Sequence, residues 1–184
     1  MFLFTQDGTQ HHNSSTINGR CCLVKWNKKT KEVIGYSHQA LQPIICHPDQ
    51  KQILPLMPED IANTDGDEKQ NCEVNAAKRL LPKIRKDHPW MNFIWVADSL
   101  YATDPFISKI LEHNEDDIFR VKKGDHKYLF QTIDSMEHKS HKTIGEKSTI
   151  VHHYYENVPL NGSSKITVNV IGAYVIIQDK QDNQ

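Results

Sequence analysis

The sequence has almost no imbalance of charge: 22 Lys and Arg stand against 23 Asp and Glu, a formal net charge of −1. A chain whose whole surface grips nucleic acid would be strongly basic, so that class is excluded as a default. Long apolar runs are also missing. The longest, Ile171 to Ile177 with Gly172 inside it, falls far short of the ~20 residues that span a bilayer. Met1-Phe2-Leu3-Phe4 leads at once into polar Thr5-Gln6-Asp7, without the charged start and apolar centre of a signal peptide. A cytoplasmic protein with no membrane partner is expected. Cysteine is scarce: Cys21, Cys22, Cys46 and Cys72 are too few for a disulfide scaffold in 184 residues. Cys21 and Cys22, adjacent on a strand, would face opposite sides of it. Reduced thiols are the expectation.

What is present is enough for a core. At 184 residues and 38% apolar side chains the chain can bury one sizeable domain. Eleven histidines accompany the balanced charges, so mild acidification turns the chain positive.

Apolar patterning sets the expected elements. Phe2-Leu3-Phe4 predicts a buried strand stopped by Asp7-Gly8-Thr9, followed by a polar loop from His11 to Asn18. Cys21 to Trp26, a charged turn over Asn27–Lys31, and Glu32 to Cys46 extend this into an antiparallel meander. Asp65-Gly66-Asp67 predicts a turn into a helix from Glu68 to about Lys86, with Cys72, Ala76, Leu80 and Ile84 every four residues and Pro82 bending it. Phe93 to Ala97 reads as a fully buried strand, with Trp90 before it and Trp95 within it, both expected in the core. A second helix follows, from Asp104 or Pro105 to Asn114, then a strand over Ile118–Val121. Tyr128–Ile133 predicts a short helix, Glu137–Lys147 a loop, and Thr149–Tyr155 and Lys165–Gln178 two strands.

Two carboxylates stand out by position. Asp7 ends the first strand, and Asp98 ends the buried strand after the long helix. If those strands are neighbours, the pair can share a hydrated divalent cation, which offsets their like charge. That is the arrangement for metal-assisted phosphodiester chemistry. The plain alternatives are a turn aspartate and a helix-capping aspartate. A zinc set from Cys21, Cys22, His38, Cys46 and His47 lacks the paired Cys-x-x-Cys knuckle. His138, His141, His152 and His153 offer either metal ligands or a pH-dependent charge patch.

The runs Asp7-Gly8-Thr9-Gln10, Tyr36-Ser37-His38-Gln39-Ala40-Leu41 and Pro58-Glu59-Asp60-Ile61 resemble the opening half of insertion-sequence transposases of the DDE type. So do Asp65 to Glu73 with Ala76-Ala77-Lys78-Arg79-Leu80-Leu81, and Ala97-Asp98-Ser99-Leu100-Tyr101 with Pro105. The resemblance implies an α/β, RNase H-like mixed sheet, three antiparallel strands then helix-linked strands, over residues 1–130. A β-rich insertion segment would occupy 131–184. It further implies that Asp7 and Asp98 are catalytic and bind Mg²⁺ or Mn²⁺, that Lys122 and Lys123 lie near DNA, and that the parent reaction is cleavage and strand transfer at transposon ends. The family's third carboxylate, a glutamate on a later helix, has no counterpart here, since neither Glu146 nor Glu156 suits the place. The fragment is expected to be catalytically incomplete. A stand-alone nuclease would need Glu59, Asp60, Asp65 or Asp104 as its third carboxylate. A non-catalytic role, binding and regulating a full-length transposase, is the other expectation, with nucleoid association in a bacterium.

Overall fold

Phe4 and Gln6 are buried on one side of the first strand while Asp7 on the other is exposed, the alternation a half-covered sheet imposes. The computed structural model describes residues 2–19, 22–62, 69–145 and 148–177, the side chains of 69–72 excepted. The chain falls into two units, Met1–Val121 and Lys122–Gln184.

The first unit is a mixed seven-stranded sheet with two helices: β1 (Phe2–Ser14), β2 (Leu23–Trp26), β3 (Val33–Cys46), β4 (Leu54–Pro55), β5 (Glu59–Ile61), α1 (Lys69–Asp87), β6 (Phe93–Asp98), α2 (Asp104–Glu112) and β7 (Asp116–Arg120). Its main order is β2-β3-β1-β6-β7, with β4 and β5 also pairing β3. β1 runs antiparallel to β3 and parallel to β6, and β6 is parallel to β7. The expected meander is therefore corrected, because β3, not β2, lies beside β1. The reason is length: β3 is 14 residues long and pairs β1 from Leu3↔Cys46 to Ser14↔Tyr36. That ladder also carries β1 through Asp7-Gly8-Thr9 and into the segment expected to be a loop.

The turn between β2 and β3 is built by Asn27. Its Oδ1 accepts the Lys29 and Thr30 amides at 2.9 and 3.3 Å, and Lys31 closes it in the left-handed region (φ 59°). In α1, Ala76, Ala77, Leu80, Leu81 and Ile84 face the sheet, and the two alanines let the helix approach closely. The helix continues through Pro82, whose exposed position leaves the unpaired carbonyl at Lys78 on the solvent side. Phe4, Leu41, Ile61, Phe93, Trp95, Phe106 and Ile110 complete one core, with Phe4 and Trp95 rings 4.1 Å apart. Trp90 is not part of it. It is 94% exposed in the turn after α1, since the buried positions begin at Phe93.

The second unit has α3 (Lys127–Asp134) and a three-stranded antiparallel sheet, β10-β9-β8. Its strands are β8 (Lys139–Ile144), β9 (Ser148–Pro159) and β10 (Thr167–Ile177). β8 corrects the expected loop. All six of its residues are exposed, so no apolar alternation marks it, and cross-strand pairing from Lys139↔Tyr154 to Ile144↔Thr149 defines it instead. The turn at Asp65–Asp67, Cys21 and Glu146 lie outside the described residues. Among the described residues, no helix is long and apolar enough to cross a membrane.

Candidate functional site

β1 and β6 place the two singled-out aspartates. The parallel ladder between them ends at Thr5↔Val96, and Asp7 and Asp98 each lie two residues further on. Continuing that register puts them at one level, on one face, of adjacent strands. Both are exposed. Each is held by local backbone: the Gly8 amide donates to Asp7 Oδ1 at 2.9 Å, and the Leu100 amide to Asp98 Oδ1 at 3.0 Å. On the far side of β6, Asp98 pairs in register with Arg120 of β7.

A third carboxylate, which sequence reasoning missed, approaches from the helix layer. Glu73 in the first half of α1 is 8% exposed, and its Oε1 accepts the Tyr101 hydroxyl at 2.7 Å. Its Oε2 lies against Gly8, where a Cβ would come within 2.7 Å. Burial, then the charge and hydrogen bond of Glu73, then the charges of Asp98 and Asp7 hold the Tyr101 hydroxyl far above its ordinary range. The phenol touches Glu73 alone, and the two aspartates act on it only through their charge. The missed signal was phase. Glu73 shares the apolar stripe of Ala76, Ala77, Leu80 and Ile84, so a charged residue was assigned by its pattern to a buried face.

The other candidate carboxylates are placed elsewhere. Glu59 is buried and held by Arg79 Nε at 2.9 Å and by Lys83. Asp60 is exposed on β5, Asp104 sits in the first turn of α2, and Asp65 lies outside the described residues. Among the described residues, no group of three or more His, Cys, Asp or Glu stands in position to hold a metal ion. Lys122 and Lys123 are exposed, and Lys123 Nζ lies 3.7 Å from Asp134. Lys78, Arg79, Lys83 and Lys86 of α1 line an open basic groove with Lys109 of α2. Glu156 pairs with Lys139 on β8.

The cysteine and histidine set divides. Cys22 and His38 meet, with Sγ 2.9 Å from Nε2. Cys46 and His47 lie at the opposite end of β3, beside Leu3. Cys22 and Cys46 are free thiols. His138 stacks on His153 at 4.1 Å between ring centres, and His141 pairs across the sheet with His152.

No protein-family model matches the chain, and no curated protein matches it. Among solved structures it is similar to a cryo-EM structure of the piggyBac transposase synaptic complex with hairpin DNA, at 16% identity and a TM-score of 0.39. The match covers 83% of this chain, which spans 30% of the transposase chain. The likeness is to a transposase and no finer kinship follows from it.

Proposed function

We propose that this chain is the catalytic-core portion of a DDE transposase of the insertion-sequence kind, RNase H-like in fold, in which Asp7 and Asp98 hold Mg²⁺ or Mn²⁺. The observation that carries the proposal is the parallel β1–β6 register ending at Thr5↔Val96, from which Asp7 and Asp98 each follow by two residues. Exposed carboxylates offer the oxygen-only donor set that hard divalent cations take, and Mg²⁺ needs only one or two of them beside its waters. The strand order and the sequence motifs support the same reading.

When bound, such a cation supplies Lewis acidity toward a phosphodiester. The chain's own groups do the rest. Asp7 and Asp98 each accept a backbone amide, of Gly8 and of Leu100, on Oδ1 and would offer Oδ2 to the ion. Arg120, in register with Asp98, offers a cation to a DNA phosphate, and Lys122 and Lys123 are proposed as DNA contacts from the sequence resemblance alone. In the groove on α1, Arg79 and Lys83 are paired with Glu59, while Lys78, Lys86 and Lys109 add positive charge in a chain whose total is −1. Glu73 is engaged by Tyr101 and backs the pair electrostatically, so two carboxylates are left to ligate. The reading is therefore an ion held weakly, and no cleavage of DNA by this chain alone.

Incubation of the full chain with supercoiled plasmid and Mn²⁺ tests this. The plasmid should stay intact. Nicking that disappears in Asp7→Ala and in Glu73→Gln would establish the second reading, a stand-alone nuclease whose third carboxylate is Glu73. The placement of Glu73 against Gly8 is what favours that alternative.

A further inference from the structure

The far ends of β1 and β3 carry a second cluster that the carboxylate chemistry does not use. Cys22 Sγ, 2% exposed, receives the Gly19 amide at 3.0 Å and lies 2.9 Å from His38 Nε2. Both contacts are short for sulfur. Two more imidazoles flank the pair: the rings of His11 and His12 are centred 5.8 and 5.9 Å from that of His38. They reach it because the β1–β3 register slips between Gln10 and His12, so that consecutive histidines are both brought to the same partner. Bulges that re-aim side chains in this way commonly serve a site.

We infer that Cys22 and His38, with an imidazole from His11 or His12, form a binding site for Zn²⁺ or a similar thiophilic divalent cation. One thiolate with imidazoles is a donor set that zinc prefers and that Mg²⁺ does not. Tetrahedral zinc holds its sulfur and nitrogen ligands about 3.5 Å apart and two imidazole centres about 5 Å apart. As placed, these side chains are not yet at ligand distance from a common point, so binding requires the Cys22–His38 contact to open by about 0.6 Å and a flanking ring to move inward by about 1 Å. The Cys22 thiol gives up its proton as the metal binds. The Gly19 amide remains as a donor that orients the sulfur.

The site would clip β1 and β3 to the residue that leads into β2. β1 pairs β6 only through Thr5, whereas His12 lies about 17 Å beyond Asp7's side of the ladder at a strand rise of 3.4 Å per residue. The cluster is thus apart from Asp7 and Asp98 and different in chemistry. Gly19 completes the argument. A Cβ there would lie 3.6 Å from His38 Nε2 and 3.8 Å from Cys22 Sγ, so a cysteine at this position would add a second thiolate to the same centre.

Titration of the reduced full chain with Co²⁺ alone tests the site. A near-ultraviolet thiolate-to-cobalt charge-transfer band should saturate near one equivalent and disappear on adding Zn²⁺. Cys22→Ser should abolish it, Cys46→Ser should leave it unchanged, and the joint change of His11 and His12 to Ala should weaken binding at least tenfold. Gly19→Cys should intensify the band and tighten binding at least tenfold, a gain that misfolding cannot imitate. Absence of the band in the unaltered chain, or its survival in Cys22→Ser, overturns the proposal. Mn²⁺ binding at the aspartates should be indifferent to Cys22→Ser, so failure of one site is distinguishable from failure of the other.

Discussion

The carboxylate of Glu73 occupies the space that a side chain at Gly8 would need: a Cβ there would lie 2.7 Å from Oε2 and 2.8 Å from Cδ. The fit joins the long helix to the strand that bears Asp7. Glu73 is buried and bonded to Tyr101, so moving it aside would break that hydrogen bond. Gly8→Ala should therefore cost about 1–3 kcal/mol in urea unfolding, as overpacking does. Adding Glu73→Ala to that variant should recover part of the loss, and strict additivity of the two would count against the contact.

Arg85 and a buried Glu115 form an ion pair. Glu115 accepts Arg85 Nη1 at 2.7 Å and the Trp95 indole N–H, and the same guanidinium donates to the carbonyls of Pro89 and Met91. Arg85→Ala would strand a carboxylate that is 5% exposed. The expected cost is about 3–5 kcal/mol. Glu115→Gln, which keeps an acceptor and removes the charge, should be milder, and chemical denaturation of both variants checks the order.

Asp117 on β7 gives a pH dependence of defined sign. Burial first, and then the neighbouring Asp116 charge, push its carboxyl up from 3.8 to about 6. The folded chain thus holds this proton more tightly than the unfolded one. The group's contribution to stability is complete below about 3.8, falls as pH rises toward 6, and is constant above that. Asp117→Asn should raise Tm by about 3 °C at pH 7.5, corresponding to about 1 kcal/mol. The gain should shrink below pH 4 in thermal scans across pH.

If the proposed function holds, duplex DNA binding should depend on salt, and Arg120, Lys122 and Lys123 should each set part of the slope. Arg120→Ala should reduce the slope of log affinity against log salt by about one, and the joint change of Lys122 and Lys123 to Ala by about two. Fluorescence anisotropy with a labelled duplex over a range of salt measures both. Slopes unchanged in both variants would place the DNA elsewhere, for which the α1 groove is the next candidate.

The sequence made the helices and the buried strand legible because their signals are local. Ala76, Ala77, Leu80, Leu81 and Ile84 repeat at helical spacing, and Phe93 to Ala97 is apolar throughout. What escaped depended on partners far along the chain. β1 passes through Asp7-Gly8-Thr9 because β3 pairs with it, and β8 exists because β9 pairs with it. Trp90 reads as core by composition but falls in a turn. In the candidate site, Asp7 and Asp98 were conspicuous as strand-end carboxylates, whereas Glu73 was hidden by its neighbours' apolar pattern. The Cys22–His38 contact needed the β2–β3 hairpin, and the flanking histidines needed the bulge in β1, which no spacing rule for zinc knuckles describes.

The central claim is that Asp7 and Asp98 hold one divalent cation jointly. Mn²⁺ binding to the full chain, followed by electron paramagnetic resonance of the free ion, tests it most directly. The account predicts saturable binding that is weakened at least tenfold by Asp7→Ala and equally by Asp98→Ala, with circular dichroism unchanged. Binding that is indifferent to both substitutions, or no binding at millimolar Mn²⁺, would contradict it.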